Sequence, residues 1–117
     1  MIKVLLDTNF LIYSFDNKTA LNETFERNTA AEFSLYTLDS CIEELERLGR
    51  KDVIKWLELN RIKVITTDKK GKVDDKIILL AKSEDYGILS EDRVLIKRAK
   101  SEGIKIIRFG GRGISII

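Results

Sequence analysis

Short apolar segments alternate with helix-like segments along this chain, and this alternation restricts the fold more than any other feature of the sequence. Residues 2–6 are apolar and strand-like, and residues 86–89 and 104–109 repeat that character with an amphipathic stretch between them. Parallel strands need a helical crossover between them, so this order indicates an α/β fold. We predict a three-layer domain with helices flanking a mainly parallel sheet of about five strands.

The element boundaries follow from apolar periodicity and from glycine, Asn and Asp positions, because the chain has no proline. The predicted strands are residues 2–6, 33–37, 62–65, 86–89, 104–109 and 114–117. The predicted helices are a short one at 10–13, a weak one at 20–27, and clearer ones at 42–48, 53–59, 74–82 and 92–101. The Gly110–Gly113 turn can place the last strand antiparallel at an edge.

Some side chains have predicted positions within these helices. Asp39 or Ser40 is expected to cap the helix at 42–48, and Asp52 the helix that follows it. In the last helix, the predicted inward-facing residues are Val94, Leu95 and Ile96, and the outward-facing ones are Lys97, Arg98 and Lys100.

The length and net charge of the chain restrict the number of domains and the kind of partner it can bind. A chain of 117 residues is enough for one domain and too short for two. The 21 basic and 19 acidic residues give a net charge of +2, so a polyanionic partner would have to bind a local basic patch. The chain has neither a membrane-spanning apolar run nor a signal-peptide pattern at its start. We therefore expect a cytoplasmic protein.

The chain has no histidine and a single cysteine, Cys41, and these counts exclude several kinds of site. They rule out a histidine general base, a catalytic triad containing histidine, an internal disulfide and the multi-cysteine zinc motifs. Carboxylates, lysines or hydroxyls must therefore carry any chemistry. Cys41 itself is expected to be a small buried apolar residue.

Acidic residues follow several of the predicted strands. Asp7 comes directly after the first strand, and Asp92 follows the strand at 86–89 with Ser90 between them. Glu44 lies in the helix after the second strand, and Asp74 and Asp75 open a later helix. Ligands of parallel sheets bind beyond the carboxyl ends of the strands, where these acids would meet. Oxygen ligands without His or Cys favour Mg²⁺ or Mn²⁺, which can activate water and bind phosphodiester oxygens.

Each acid also has a purely structural interpretation. Asp7 can cap the helix that follows it. Asp74 and Asp75 can be a capping residue and a first-turn acid that the helix dipole favours. Asp92 can be an early-helix acid, and Glu44 can belong to an exposed face. It is their occurrence at four strand-to-helix junctions that indicates a shared site.

The order of these motifs resembles that of the PIN-domain family of metal-dependent ribonucleases. The segments VLLDTNFLIY, SCIEELERLG, VDDKIILLA and ILSEDRVLIKRAKSEGIKII are similar to its four motifs and span most of the chain. The DTNF start and the VDD segment are more similar to the archaeal and ribosome-processing branch than to typical toxin members.

The resemblance implies a catalytic and metal-binding set of Asp7, Glu44, Asp75 and Asp92, with Asn9, Ser90 and Asp74 in supporting positions. The identity of the third acid stays open. Helix register favours Asp75, whereas the usual spacing to the last acid favours Asp74. The implied cofactor is Mg²⁺ or Mn²⁺.

The implied partner is RNA, in single-stranded form, which needs basic residues near the acids. The candidates are Lys69, Lys70 and Lys72 before the third motif and Arg93 and Lys97 on the last helix. The default interpretation of each group is a solvated polar face. A homodimer, an antitoxin and a ribosome-assembly partner are further expectations, and no membrane contact is expected.

Three functions are compatible with these features. The first is a metal-dependent endoribonuclease that hydrolyses RNA. The second is a PIN-like domain without turnover that binds RNA or protein in RNA processing or ribosome maturation. The third is a phosphoacceptor receiver domain, which has a similar size and layout. Receivers usually carry paired acids at the end of the first strand, whereas the pair here is Asp74 and Asp75.

Overall fold

The computed structural model describes residues 1–28, 32–68, 70–110 and 113–116. Six strands form one sheet in this part of the chain: β1 Ile2–Leu6, β2 Phe33–Leu38, β3 Lys63–Ile65, β4 Gly87–Leu89, β5 Ile106–Gly110 and β6 Gly113–Ile116. The helices described there are α1 Thr8–Asp16, α2 Leu21–Asn28, α3 Asp39–Arg47, α4 Lys51–Leu59, α5 Val73–Glu84 and α6 Arg93–Ser101. The predicted alternation of strands and helices is thereby confirmed.

The strand order across the sheet is β3-β2-β1-β4-β5-β6. The first five strands run parallel, and β6 pairs antiparallel with β5 at the edge. The predicted mainly parallel sheet and its antiparallel last strand are therefore confirmed, although Gly111, Arg112 and Ile117 lie outside the described residues. The order reverses direction between β1 and β4, because the chain proceeds from β1 to β2 on one side and from β4 to β5 on the other. Such a reversal opens a crevice beyond the carboxyl ends of the two strands.

The core lies between the sheet and its helices. The central strands contribute fully buried residues such as Leu5, Leu6 and Ile88, and the helices cover them with Phe10, Leu45 and other apolar side chains. Cys41 is buried among them, as predicted. No helix in the described part of the chain is both long and apolar enough to cross a membrane.

Two of the predicted caps are wrong. Helix α3 begins after Leu38, and helix α4 begins after Arg50, with no side-chain cap at either residue. Asp39 instead accepts hydrogen bonds from the backbone N–H and the hydroxyl of Thr67, which hold β2 and β3 together at their carboxyl ends. Asp52 lies in the first turn of α4 and pairs with Arg50.

The predicted inward position of Val94 is also wrong. Val94 is 75% exposed, whereas Leu95 is 1% exposed and Ile96 is nearly as buried. Asp92 caps α6, and the buried residues Leu95, Ile96 and Ala99 then follow at helical spacing. Successive helical residues are about 100° apart, so Val94 is turned away from the sheet.

We predict a large loss of stability on truncating one of these two neighbours and almost none on truncating the other. Leu95→Ala removes a buried side chain and should lower the free energy of unfolding by about 2–5 kcal/mol. Val94→Ala removes exposed atoms and should change it by no more than about 0.5 kcal/mol. Urea unfolding followed by circular dichroism measures both, and equal losses would contradict this orientation of α6.

Candidate active site

Asp7 lies at the centre of the carboxyl edge of the sheet. It follows β1 directly and caps α1, where one carboxylate oxygen accepts the backbone N–H of Phe10 at 2.9 Å. The other oxygen accepts the hydroxyl of Ser90 at 2.6 Å. The side chain is buried, with 6% of the residue surface exposed, and these two bonds fix its orientation.

Ser90 connects Asp7 to the N-terminus of α6. Leu6 is paired with Leu89, so Asp7 and Ser90 stand at the same level just beyond β1 and β4. The Ser90 hydroxyl also accepts the backbone N–H of Asp92 at 3.0 Å. Asp92 in turn caps α6 by accepting the N–H groups of Val94 and Leu95. A single hydroxyl therefore fixes two of the predicted acids relative to each other.

The electrostatic environment of Asp7 includes two further carboxylates. Burial raises the pKa of Asp7 above its ordinary value, while the hydrogen bonds from Ser90 and Phe10 oppose this shift. The charges of Asp92 and Asp74 raise that pKa further. Asp74 is exposed, but partial desolvation raises its pKa too, and the charge of Asp92 adds to the effect. Three carboxylates thus repel one another at one place, a situation that a cation would relieve.

Asp74 and Asp75 have different environments, although they are neighbours in the first turn of α5. Asp75 forms an ion pair of 2.6 Å with Arg98 of α6. Asp74 interacts electrostatically with Asp92 and, through it, belongs to the group around Asp7. Helix register favoured Asp75, whereas the charges that raise the pKa of Asp7 are those of Asp92 and Asp74.

Glu44 and Asn9 take up peripheral positions. Glu44 is half-buried on α3 and accepts the hydroxyl of Thr8 at 3.2 Å, which places it beside the residue that follows Asp7. Asn9 is exposed in the first turn of α1. The hydrogen bonds described for the Asp7 side chain come from Phe10 and Ser90.

The basic candidates from the sequence lie in two places. Lys70 and Lys72 are exposed before α5, and Lys69 lies outside the described residues. Arg93 and Lys97 are exposed one turn apart on α6, directly after Asp92. The second pair is therefore attached to an element that carries one of the site acids.

Sequence reasoning missed two polar contacts beside this site. Lys76 of α5 donates a hydrogen bond of 2.9 Å to the hydroxyl of Ser40 at the start of α3. Thr37 donates from its buried hydroxyl to the carbonyl of Leu6, the residue before Asp7. The strand pattern could have revealed Thr37, because a hydroxyl at the end of one parallel strand lies beside the end of the next. No comparable signal pointed to Lys76.

The donor set fits a hard divalent cation. Asp7, Asp74 and Asp92 offer oxygen atoms only, and their mutual repulsion favours a bound positive charge. In the present arrangement, no three acidic or cysteine side chains of the described residues lie close enough together to hold an ion. Mg²⁺ usually keeps several waters and takes one or two carboxylates, so it does not need such a preformed cluster.

Comparisons with known proteins agree with this architecture, although no protein-family model matches the chain. Ribonuclease VapC4 of Methanocaldococcus jannaschii is 29% identical, over 92% of this chain and 89% of that protein. The structure of the PIN domain endonuclease Utp24 superposes with a TM-score of 0.83 at 24% identity, covering 97% of this chain and 90% of that one. VapBC-1 from nontypeable Haemophilus influenzae gives a TM-score of 0.64 at 17% identity, covering 86% and 94%.

These likenesses agree with the four sequence motifs and with the strand order that brings Asp7 and Asp92 to one edge. The fold of Utp24 accounts for nearly the whole chain. The chain therefore has the fold of PIN domains.

Proposed function

We propose that this chain is a PIN-domain endoribonuclease that hydrolyses RNA phosphodiesters with the help of Mg²⁺ or Mn²⁺. The observation that carries the proposal is the arrangement of Asp7 and Asp92 around the Ser90 hydroxyl, in the crevice between β1 and β4. Two of the compared proteins support it, since one is named a ribonuclease and the other an endonuclease.

Each residue of the site has a distinct role in the proposed reaction. Asp7, Asp74 and Asp92 would hold the ion, and Glu44 lies close enough to Thr8 to act from the edge of the site. An ion held there would supply an activated water and neutralise charge on the phosphodiester oxygens. Ser90 keeps the Asp7 carboxylate in one orientation, so the acid does not have to reorganise when substrate arrives. The chain itself then provides no covalent nucleophile.

We predict that Asp7→Asn and Asp92→Asn each abolish RNA cleavage while the fold is retained. Removing even an outer partner of a metal site costs about 10- to 100-fold in activity, so losing a ligand should cost more than about 100-fold. The assay is cleavage of a labelled single-stranded RNA with Mn²⁺, and circular dichroism checks the fold.

Asp85→Asn is the matched control for this pair. Asp85 follows α5 at the opposite end from Asp74, and Asn tolerates its left-handed backbone conformation. This variant should cleave at the wild-type rate. Undiminished, metal-dependent cleavage by both Asp7→Asn and Asp92→Asn would overturn the proposal.

A second prediction separates the neighbouring acids of α5. Asp74→Asn should reduce cleavage by more than about 100-fold if Asp74 is a metal ligand, by the same reasoning as for Asp7. Asp75→Asn breaks the ion pair with Arg98 at a half-exposed site and should reduce cleavage by no more than about 10-fold. Rates measured under identical conditions decide the matter, and a larger loss in Asp75→Asn would restore Asp75 as the third acid.

The raised pKa of Asp7 predicts a pH dependence of stability in the metal-free protein. An Asp with a raised pKa in the folded state destabilises that state once it ionises, so stability falls as pH rises above about 4. In EDTA, Asp7→Asn should therefore be more stable than wild type at pH 7, and the difference should shrink towards pH 4.

Addition of metal should reverse this order. Mn²⁺ at about 100 times its dissociation constant should stabilise the wild type by about 2.7 kcal/mol and Asp7→Asn by much less. Thermal unfolding with EDTA or Mn²⁺ measures both effects. Equal stabilisation of the two proteins by Mn²⁺ would show that Asp7 does not hold the ion.

The alternative is a PIN domain that binds RNA or protein without turnover. It is favoured by the lack of a preformed three-acid cluster among the described residues. This function would give RNA binding that survives EDTA and no cleavage of any RNA with Mn²⁺. An antitoxin, a ribosome-assembly partner and a homodimer stay predictions under either function.

A further inference from the structure

We infer that a basic groove along α6 binds the RNA strand next to the scissile phosphodiester, and this inference rests on the proposed function. The groove is lined by Arg93, Ile96, Lys97, Lys100 and Arg108, with a volume of about 460 Å³. Four of its five lining residues are cationic, and none is acidic. We call it the α6 groove.

The geometry of the helix explains the row of charges. Arg93, Lys97 and Lys100 are spaced four and three residues apart, so they lie along one face of α6. Arg108 of β5 faces them across the groove, and Ile96, which is 8% exposed, forms an apolar floor. All four cations are exposed to solvent. The row can therefore contact a ligand along its length.

Two cations close to the α6 groove are already paired with acidic side chains. Arg98 pairs with Asp75, and Lys82 pairs with Glu102. The four groove cations form no ion pair with any side chain in the described part of the chain. Since the whole chain has a net charge of only +2, the groove is a local concentration of unneutralised positive charge.

The position of the groove favours RNA over other anionic partners. It begins at Arg93, the residue after Asp92, so one end of the groove lies at the helix end that carries a site acid. From Arg93 to Lys100 the helix rises about 10 Å at 1.5 Å per residue. A stacked strand that rises about 3.4 Å per nucleotide passes about three nucleotides over this length. Lysines act on phosphates as point charges and read no sequence, so we expect contacts to the backbone.

The test is binding of a fluorescently labelled 12-nucleotide single-stranded RNA in EDTA at several salt concentrations. Each phosphate contact contributes about −0.7 to the slope of log K against log salt for single strands. Lys97→Gln/Lys100→Gln should therefore make the slope less steep by about 1.4 and weaken binding roughly 25-fold at 0.1 M salt. Lys97→Arg/Lys100→Arg keeps the charges and should bind like wild type.

Two controls isolate the groove from net charge and from the chemistry. Lys51→Gln/Lys55→Gln removes the same charge from exposed positions on α4 and should leave the slope unchanged. Lys51→Gln/Lys55→Gln should also hydrolyse bis(p-nitrophenyl) phosphate with Mn²⁺ at the wild-type rate, which shows that removing two exposed charges does not disturb the site of hydrolysis.

The outcomes for the groove and for the proposed function are distinguishable. If wild type cleaves RNA but Lys97→Gln/Lys100→Gln binds it with unchanged affinity and slope, the groove proposal is wrong, and an acidic protein is the better occupant. If binding depends on the groove but wild type never cleaves RNA, the groove proposal stands and the nuclease proposal fails. An equal slope change in Lys51→Gln/Lys55→Gln would also overturn the groove proposal.

Discussion

The hydrogen bond from the Ser90 hydroxyl to Asp7 is the interaction on which the candidate site depends. It joins the ends of β1 and β4, which come from distant parts of the chain and are aligned by the pairing of Leu6 with Leu89. Because Ser90 also accepts the backbone N–H of Asp92, the start of α6 is fixed to the same point. The position of two acids is therefore a consequence of sheet register rather than of loop conformation.

The cost of this arrangement is a buried carboxylate beside other negative charges. Burial and the charges of Asp92 and Asp74 all raise the pKa of Asp7, so the metal-free site opposes ionisation of the very group that would bind a cation. Two helix N-termini partly offset this cost, since Asp7 caps α1 and Asp92 caps α6. Capping and ion binding are thus compatible interpretations of the same residues.

The sequence was sufficient for the strand order along the chain and for the acids that directly follow strands. Asp7 and Ser90 could be placed because a residue just beyond a parallel strand has little freedom to leave the sheet edge. The choice between Asp74 and Asp75 could not be made in this way, because it depends on the rotation of α5 against α6. The predicted inward orientation of Val94 was wrong for the same reason, since local apolarity does not fix which face of a helix is buried.

The proposed function requires the negatively charged site acids and a positively charged RNA-binding surface to lie next to each other at the start of α6. A phosphodiester that approaches Asp7, Asp74 and Asp92 is repelled unless a cation lies between them, so those acids cannot supply affinity for RNA on their own. Affinity must then come from a separate surface, and the α6 groove begins one residue after Asp92. A single helix thus holds a site acid at its capped end and positive charge along its exposed face. Under the proposed function, this separation of affinity from chemistry would let a chain of near-neutral net charge bind a polyanion.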